Sequence, residues 1–137
     1  MQEKKIILLA SDCESSRWVY HALKEAAGIE AVILEQPVSK KELAKNRIKK
    51  TGFVPVMGQV LFSALVVPLL KLQSQKRKTY LVSKYGLNSS ASNSSKIYRV
   101  NSVNDEGSLK AIQLLQPDII VVNGTRIISK KILQSTN

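Results

Sequence analysis

The chain is short of the residues on which several common chemistries depend. It has one cysteine, one histidine, 5 % aromatics and ten acids against 21 Lys and Arg. With Cys13 alone, an internal disulfide and a cysteine-based zinc site are both excluded, which fits a reducing compartment. The few aromatics are not grouped into stacking platforms, which disfavours base-specific RNA recognition. His21 lies about two helical turns from Cys13, too far along a helix axis for direct contact, so we read Cys13 as a passive small residue despite a placement that favours a thiolate. His21 itself reads as a surface or boundary residue. Residues 11–16, SDCESS, contain no glycine and two acids. A dinucleotide loop of the Rossmann kind, where glycines let backbone N–H groups approach a pyrophosphate, is therefore disfavoured. The apolar run near Met1 is too short for a secretory signal and reads better as a first strand. The cytoplasm is the expected location, and the Asn-x-Ser/Thr tripeptides at Asn88, Asn93 and Asn123 then carry no glycosylation meaning.

What is present describes a globular protein. A chain of 137 residues with 44 % hydrophobic content is expected to form one domain with an ordinary core. The net charge of +11 suits an anionic partner such as RNA, a nucleotide or a membrane surface, although solvated lysines give the same composition. Residues 5–10 read as a first strand, 11–16 as a polar connection, and Arg17 onward as a helix with Val19, Leu23 and Ala26 at helical spacing, stopped at Gly28. Residues 31–34 form a second strand, which completes a βαβ unit and implies a parallel sheet. Ser39 and Glu42 suggest a capping box for a lysine-rich helix over 39–50. The most apolar stretch follows, residues 53–72, between basic clusters at Lys45, Arg47, Lys49 and Lys50 and at Lys71, Lys76, Arg77 and Lys78. A helix that is either buried or intersubunit, the latter making the protein a homo-oligomer, is the first reading of it. Peripheral membrane or partner contact is the second, and a transmembrane span the third.

Residues 80–85 read as the end of another helix, stopped at Gly86, so that a helical insertion covers about 39–86. Residues 87–95, LNSSASNSS, are polar low-complexity sequence expected to be a mobile loop. A third strand is expected at 97–100, then a helix over 105–115 capped by Asn104. The fold class is thus α/β: a three-layer, Rossmann-like open parallel sheet of about four strands, with a helical insertion between strands 2 and 3.

The remainder is organised around residues 117–133, PDIIVVNGTRIISKKIL. The unbroken apolar run 119–122 predicts a strand buried on both faces, as inside a parallel sheet. Asn123 and Gly124 end it, and Ser129 is a candidate N-cap for a short basic helix whose Ile132 and Leu133 face the sheet. The crevice past the carboxyl end of such a strand is where open α/β sheets bind ligands. At the first strand's end, Ser15, Ser16 and Arg17 are candidates for a substrate phosphate, while plain N-capping explains the same serines.

The segment VVNGTRIISKKIL resembles the strand-turn-helix of the folate-dependent formyltransferases, the family that includes methionyl-tRNA and amino-sugar formyltransferases. The likeness extends upstream through RVNSVNDEGSLKAIQLLQPD and NRIKKTGFVPVMGQVLF, and so covers most of the chain. The resemblance implies transfer of a formyl group from 10-formyltetrahydrofolate to a small-molecule amine. It also implies a folate wall formed by Asn123, Gly124, Thr125, Arg126, Ile127 and Ile128. Arg126 could hold the anionic folate tail through its guanidinium fork, or cover the sheet edge as a surface residue, the reading we favour slightly. The family's Asn-x-His motif and its later Asp, which serve the oxyanion and the proton transfers, match nothing here. By resemblance the chain is therefore expected to be an N-terminal part or a truncated relative, inactive alone. A non-catalytic basic module that binds RNA or an anionic membrane is the alternative. The formyl-transfer reading requires residues 119–122 to lie inside the sheet, and a position at its margin would remove the support for it.

Overall fold

In a computed structural model, residues 4–37, 39–91 and 96–135 are described. The Glu42 side chain of the expected capping box, and residues 92–95 of the expected polar loop with Asn93, lie outside the described residues. The chain divides into two units, Met1–Pro37 with Asn88–Asn137, and Val38–Leu87.

The first unit is built on four parallel strands: β1 (Ile6–Ser11), β2 (Ala31–Glu35), β3 (Ile97–Val100) and β4 (Ile119–Asn123), in the order β3-β2-β1-β4. Continuous apolar runs suit β1 and β2 because both lie inside the sheet and need apolar side chains on both faces. Helix α1 (Glu14–Ala27) covers one face, where Tyr20, with Val19 and Leu23 beside it, packs on Leu8, Ala10, Val32 and Leu34. On the other face α4 (Glu106–Leu115) and α5 (Lys130–Leu133) bring Ala111, Ile112, Leu115 and Ile132 against Ile7, Leu9, Ala31 and Ile33. The result is the three-layer α/β arrangement read from the sequence. Each fully buried Leu or Ile of β1 and β2 contributes about 1.5–3 kcal/mol by leaving water.

The second unit holds α2 (Lys40–Thr51) and α3 (Phe53–Lys84), the helices inserted between β2 and β3. The residues expected to end a separate helix at 80–85 instead continue α3, which runs 32 residues through Pro68. A proline removes one backbone donor and favours a kink, but it does not force a break when the flanking turns are well formed.

Four local expectations need correction. Helix α1 begins at Glu14 and not at Arg17, because Cys13 adopts the extended N-cap conformation, so Ser15, Ser16 and Arg17 lie in its first turn. Helix α4 is capped by Asp105, whose carboxylate accepts the Ser108 backbone N–H at 2.8 Å, while the Asn104 side chain is engaged by the Ile127 carbonyl and the Ser129 N–H. In α5 Ile132 is buried, but Leu133 is exposed, because a single turn can turn only one of two adjacent residues inward.

The fourth concerns β4. It pairs with β1 alone among the described strands, so it lies at the sheet margin, and Ile119 and Val122 are exposed. An apolar β-branched run meets the requirements of a buried strand, but periodicity carries no information about how many neighbours a strand has.

Candidate functional site

The strand order fixes where a ligand crevice can form. β1 leads through α1 to β2 on one side, whereas β3 leads through α4 to β4 on the other side of β1. The switch point therefore falls between the carboxyl ends of β1 and β4, and crossover helices leaving to opposite faces open a crevice there. Register places Ala10 beside Asn123, so Ser11 and Gly124 follow side by side.

Gly124 has φ +67°, and a Cβ there would come within 3.0 Å of Ser11 Oγ. The position thus calls for glycine on both backbone and steric grounds. Asn123 Nδ2 donates to Ser16 Oγ at 3.0 Å, which ties the loop after β4 to the first turn of α1.

Cys13 is the focus of that turn. Its Sγ lies 3.2 Å from both Ser15 Oγ and Ser16 Oγ and 3.5 Å from Ser11 Oγ. Burial alone would push the thiol up. Hydrogen bonds from Ser15, Ser16 and Ser11, with the Ser16 backbone N–H, together outweigh it and bring the pKa down to about 6. The serines read as phosphate ligands thus converge on the protein's own sulfur. Arg17 pairs with Asp12 at 3.2 Å, and Arg99 approaches the other oxygen of that carboxylate at 3.6 Å. Asp12, Cys13, Arg17 and Arg99 border a cavity of about 90 Å³.

These values give a testable titration. Alkylation of Cys13 by iodoacetamide is expected to show a midpoint near pH 6 in place of the ordinary 9.0, and the midpoint should climb in a Ser15→Ala/Ser16→Ala double variant. Because folding lowers this pKa, the unfolded chain binds more protons between the two values. Stability should therefore rise from about pH 6 to pH 9, and this contribution is lost as pH falls through the lower value. A Cys13→Ser variant that kept the same rise would show the thiolate has no part in it.

The six residues expected to form a folate wall divide into distinct roles. Asn123 and Gly124 face the switch point. The Thr125 hydroxyl bonds the Arg126 carbonyl at 3.1 Å. Arg126 is engaged structurally: its Nε lies 3.0 Å from Glu35 Oε1, its backbone N–H donates to Glu35 Oε2 at 3.1 Å, and its guanidinium reaches the Asn101 carbonyl at 3.3 Å. Ile127 is 94 % exposed, and Ile128 packs against the core. Ile128 also borders a second cavity, about 240 Å³, with Ile120, Val122 and Ile132. Both cavities fall below the range of pockets that enclose drug-sized ligands, so the described residues supply a wall and not an enclosure.

Glu35, which the sequence reading passed over, and Asn104, which it read only as a helix cap, organise these loops. Glu35, 3 % exposed at the end of β2, also accepts the Val103 N–H at 3.3 Å. Asn104 donates to the Ile127 carbonyl at 2.9 Å and accepts from the Ser129 N–H at 2.8 Å, which joins the loop after β3 to the loop after β4. The available signal was an acid ending an apolar strand on the ligand-bearing side of a parallel sheet. His21, the only histidine, meets Ser90 through its backbone carbonyl at 3.3 Å and its hydroxyl at 3.0 Å. No cluster of metal-ligating side chains occurs among the described residues. Comparison with family models, curated proteins and solved structures returns no match.

Proposed function

We propose that the crevice between the carboxyl ends of β1 and β4 binds a small molecule, and that 10-formyltetrahydrofolate is the ligand to which the sequence resemblance points. The observation that carries this reading is the strand order. It puts the switch point beside Asn123 and Gly124, at the start of the turn singled out by the resemblance. Against formyl transfer stands the marginal position of β4, which takes away the interior strand that reading required. We therefore restrict the proposal to one wall of a site. Formyl transfer to an amine would need a further strand, bearing the Asn-x-His motif, on the free edge of β4.

The separating experiment is to read the coding sequence past Asn137. A continuation into a strand with Asn-x-His is the result expected of a formyltransferase; a stop codon there would end the formyl-transfer reading. Binding is tested separately by titrating the chain with 5-formyltetrahydrofolate and following its backbone amides by NMR. Weak binding, on the order of millimolar, is expected for an open wall. The shifts should centre on Asn123, Gly124 and Thr125 and vanish in Gly124→Val. Unmoved amides at those positions up to the solubility limit would sink the small-molecule proposal as well.

A further inference from the structure

The second unit carries a feature that the crevice does not use. Helix α3 begins with 18 residues, 53–70, that contain no charge, about 27 Å of helix. Its large apolar side chains are bare: Leu61 is 55 %, Leu65 65 % and Leu69 63 % exposed, and Val56 is the one buried residue of the helix. Helix α2 meets the start of α3, where Arg47 donates to Gln59 Oε1 at 2.8 Å. The charge is equally uneven. Val38–Leu87 holds eleven of the 21 Lys and Arg and one of the ten acids, so ten of the eleven net positive charges fall in this unit. Residues 43–104 contain no Asp or Glu at all.

We propose that this helical unit is a peripheral anchor for anionic lipid bilayers. The apolar half of α3 enters the acyl-headgroup boundary, while the lysines of α2 and of the second half of α3 meet the lipid phosphates. A single crossing is excluded by connectivity: the chain leaves from β2 and returns to β3, its hydrogen-bonded neighbour. One crossing by α3 would thus need a second, either by α2, a helix of 12 residues rich in lysine, or by the polar residues 85–96, and neither sequence suits hydrocarbon. A second copy of the chain is the weaker occupant, since it would set ten positive charges against ten. RNA would answer the charge and leave the apolar surface in water. An anionic bilayer satisfies both, because interfacial binding combines apolar burial with attraction to acidic headgroups. The anchor is independent of what the crevice binds.

The test is flotation of the whole chain with phosphatidylcholine vesicles made with and without phosphatidylglycerol. The chain is expected to float with the anionic vesicles and remain behind with the neutral ones, and added salt should weaken binding. Leu61→Glu/Leu65→Glu should abolish flotation without unfolding, since both side chains are exposed. Lys71→Ala/Lys76→Ala/Arg77→Ala should weaken binding on the order of 100-fold, from roughly fivefold per basic residue at a charged surface. Failure to float with anionic vesicles would overturn the proposal, as would equal flotation with both kinds. So would a detergent-free dimer that Leu61→Glu/Leu65→Glu dissociates, or retention on single-stranded RNA with no vesicle binding.

Discussion

Replacing Glu35 with alanine is expected to lower the stability of the sheet unit by about 2–4 kcal/mol, because two backbone amides lose a charged acceptor at roughly 1–3 kcal/mol each. The carboxylate is 3 % exposed and holds three groups at once: the backbone N–H of Val103, the backbone N–H of Arg126 and the Arg126 guanidinium. Its loss leaves two amides without their acceptor, that of Val103 buried, whereas the guanidinium it frees is 43 % exposed and keeps its contact with water. At roughly 4–8 °C per kcal/mol for a unit of this size, the fall in melting temperature should be on the order of 10 °C. Arg126→Ala should cost less, about 1–3 kcal/mol, because Glu35 keeps both backbone donors. That ranking separates a structural arginine from one reserved for a ligand's anionic tail, which would change stability only when ligand is present. Urea denaturation of the two variants provides the measurement. A Glu35→Ala midpoint equal to that of the unaltered chain would mean that the loops after β3 and β4 are held by something else.

How far such features can be read ahead depends on whether they are local. Strand β1 and helix α1 announce themselves through apolar spacing, and the parallel sheet follows from the βαβ order, since each rests on neighbours in sequence. The continuous α3 was legible as an apolar helix over 53–72 but not as one running on to Lys84, because the change after Leu70 from apolar to polar and basic residues looks like the end of an element. The site was legible only in part. The crevice after β4 could be inferred from sheet logic. The convergence of Ser11, Ser15 and Ser16 on Cys13 depends on where α1 starts, and boundaries are the least certain part of any such reading. The carboxylate that ties the loops is invisible by nature, since Glu35 and Arg126 stand 91 positions apart and no pattern within a window relates them.

The marginal position of β4 leads to the second large expected effect. Leu9 and Val122 are register partners on adjacent strands and share the face covered by α4 and α5. Leu9 is 0 % exposed and Val122 45 %. Leu9→Ala should therefore cost about 3 kcal/mol, the transfer term plus the cavity left in a core that relaxes only partly. Val122→Ala should cost less than ~1 kcal/mol, because its methyl groups already touch water. The same reasoning makes the pair a probe of the edge itself. Exposed apolar edge strands are usually blunted by lysine, proline or a bulge, whereas residues 119–122 carry none of the first two. If the working protein covers β4 with another strand, Val122 becomes an interior residue and its truncation should cost roughly 2 kcal/mol or more. Chemical denaturation of Leu9→Ala and Val122→Ala thus reads out whether the sheet has four strands in a row or continues past β4, and with that whether the crevice beside Gly124 has one wall or two.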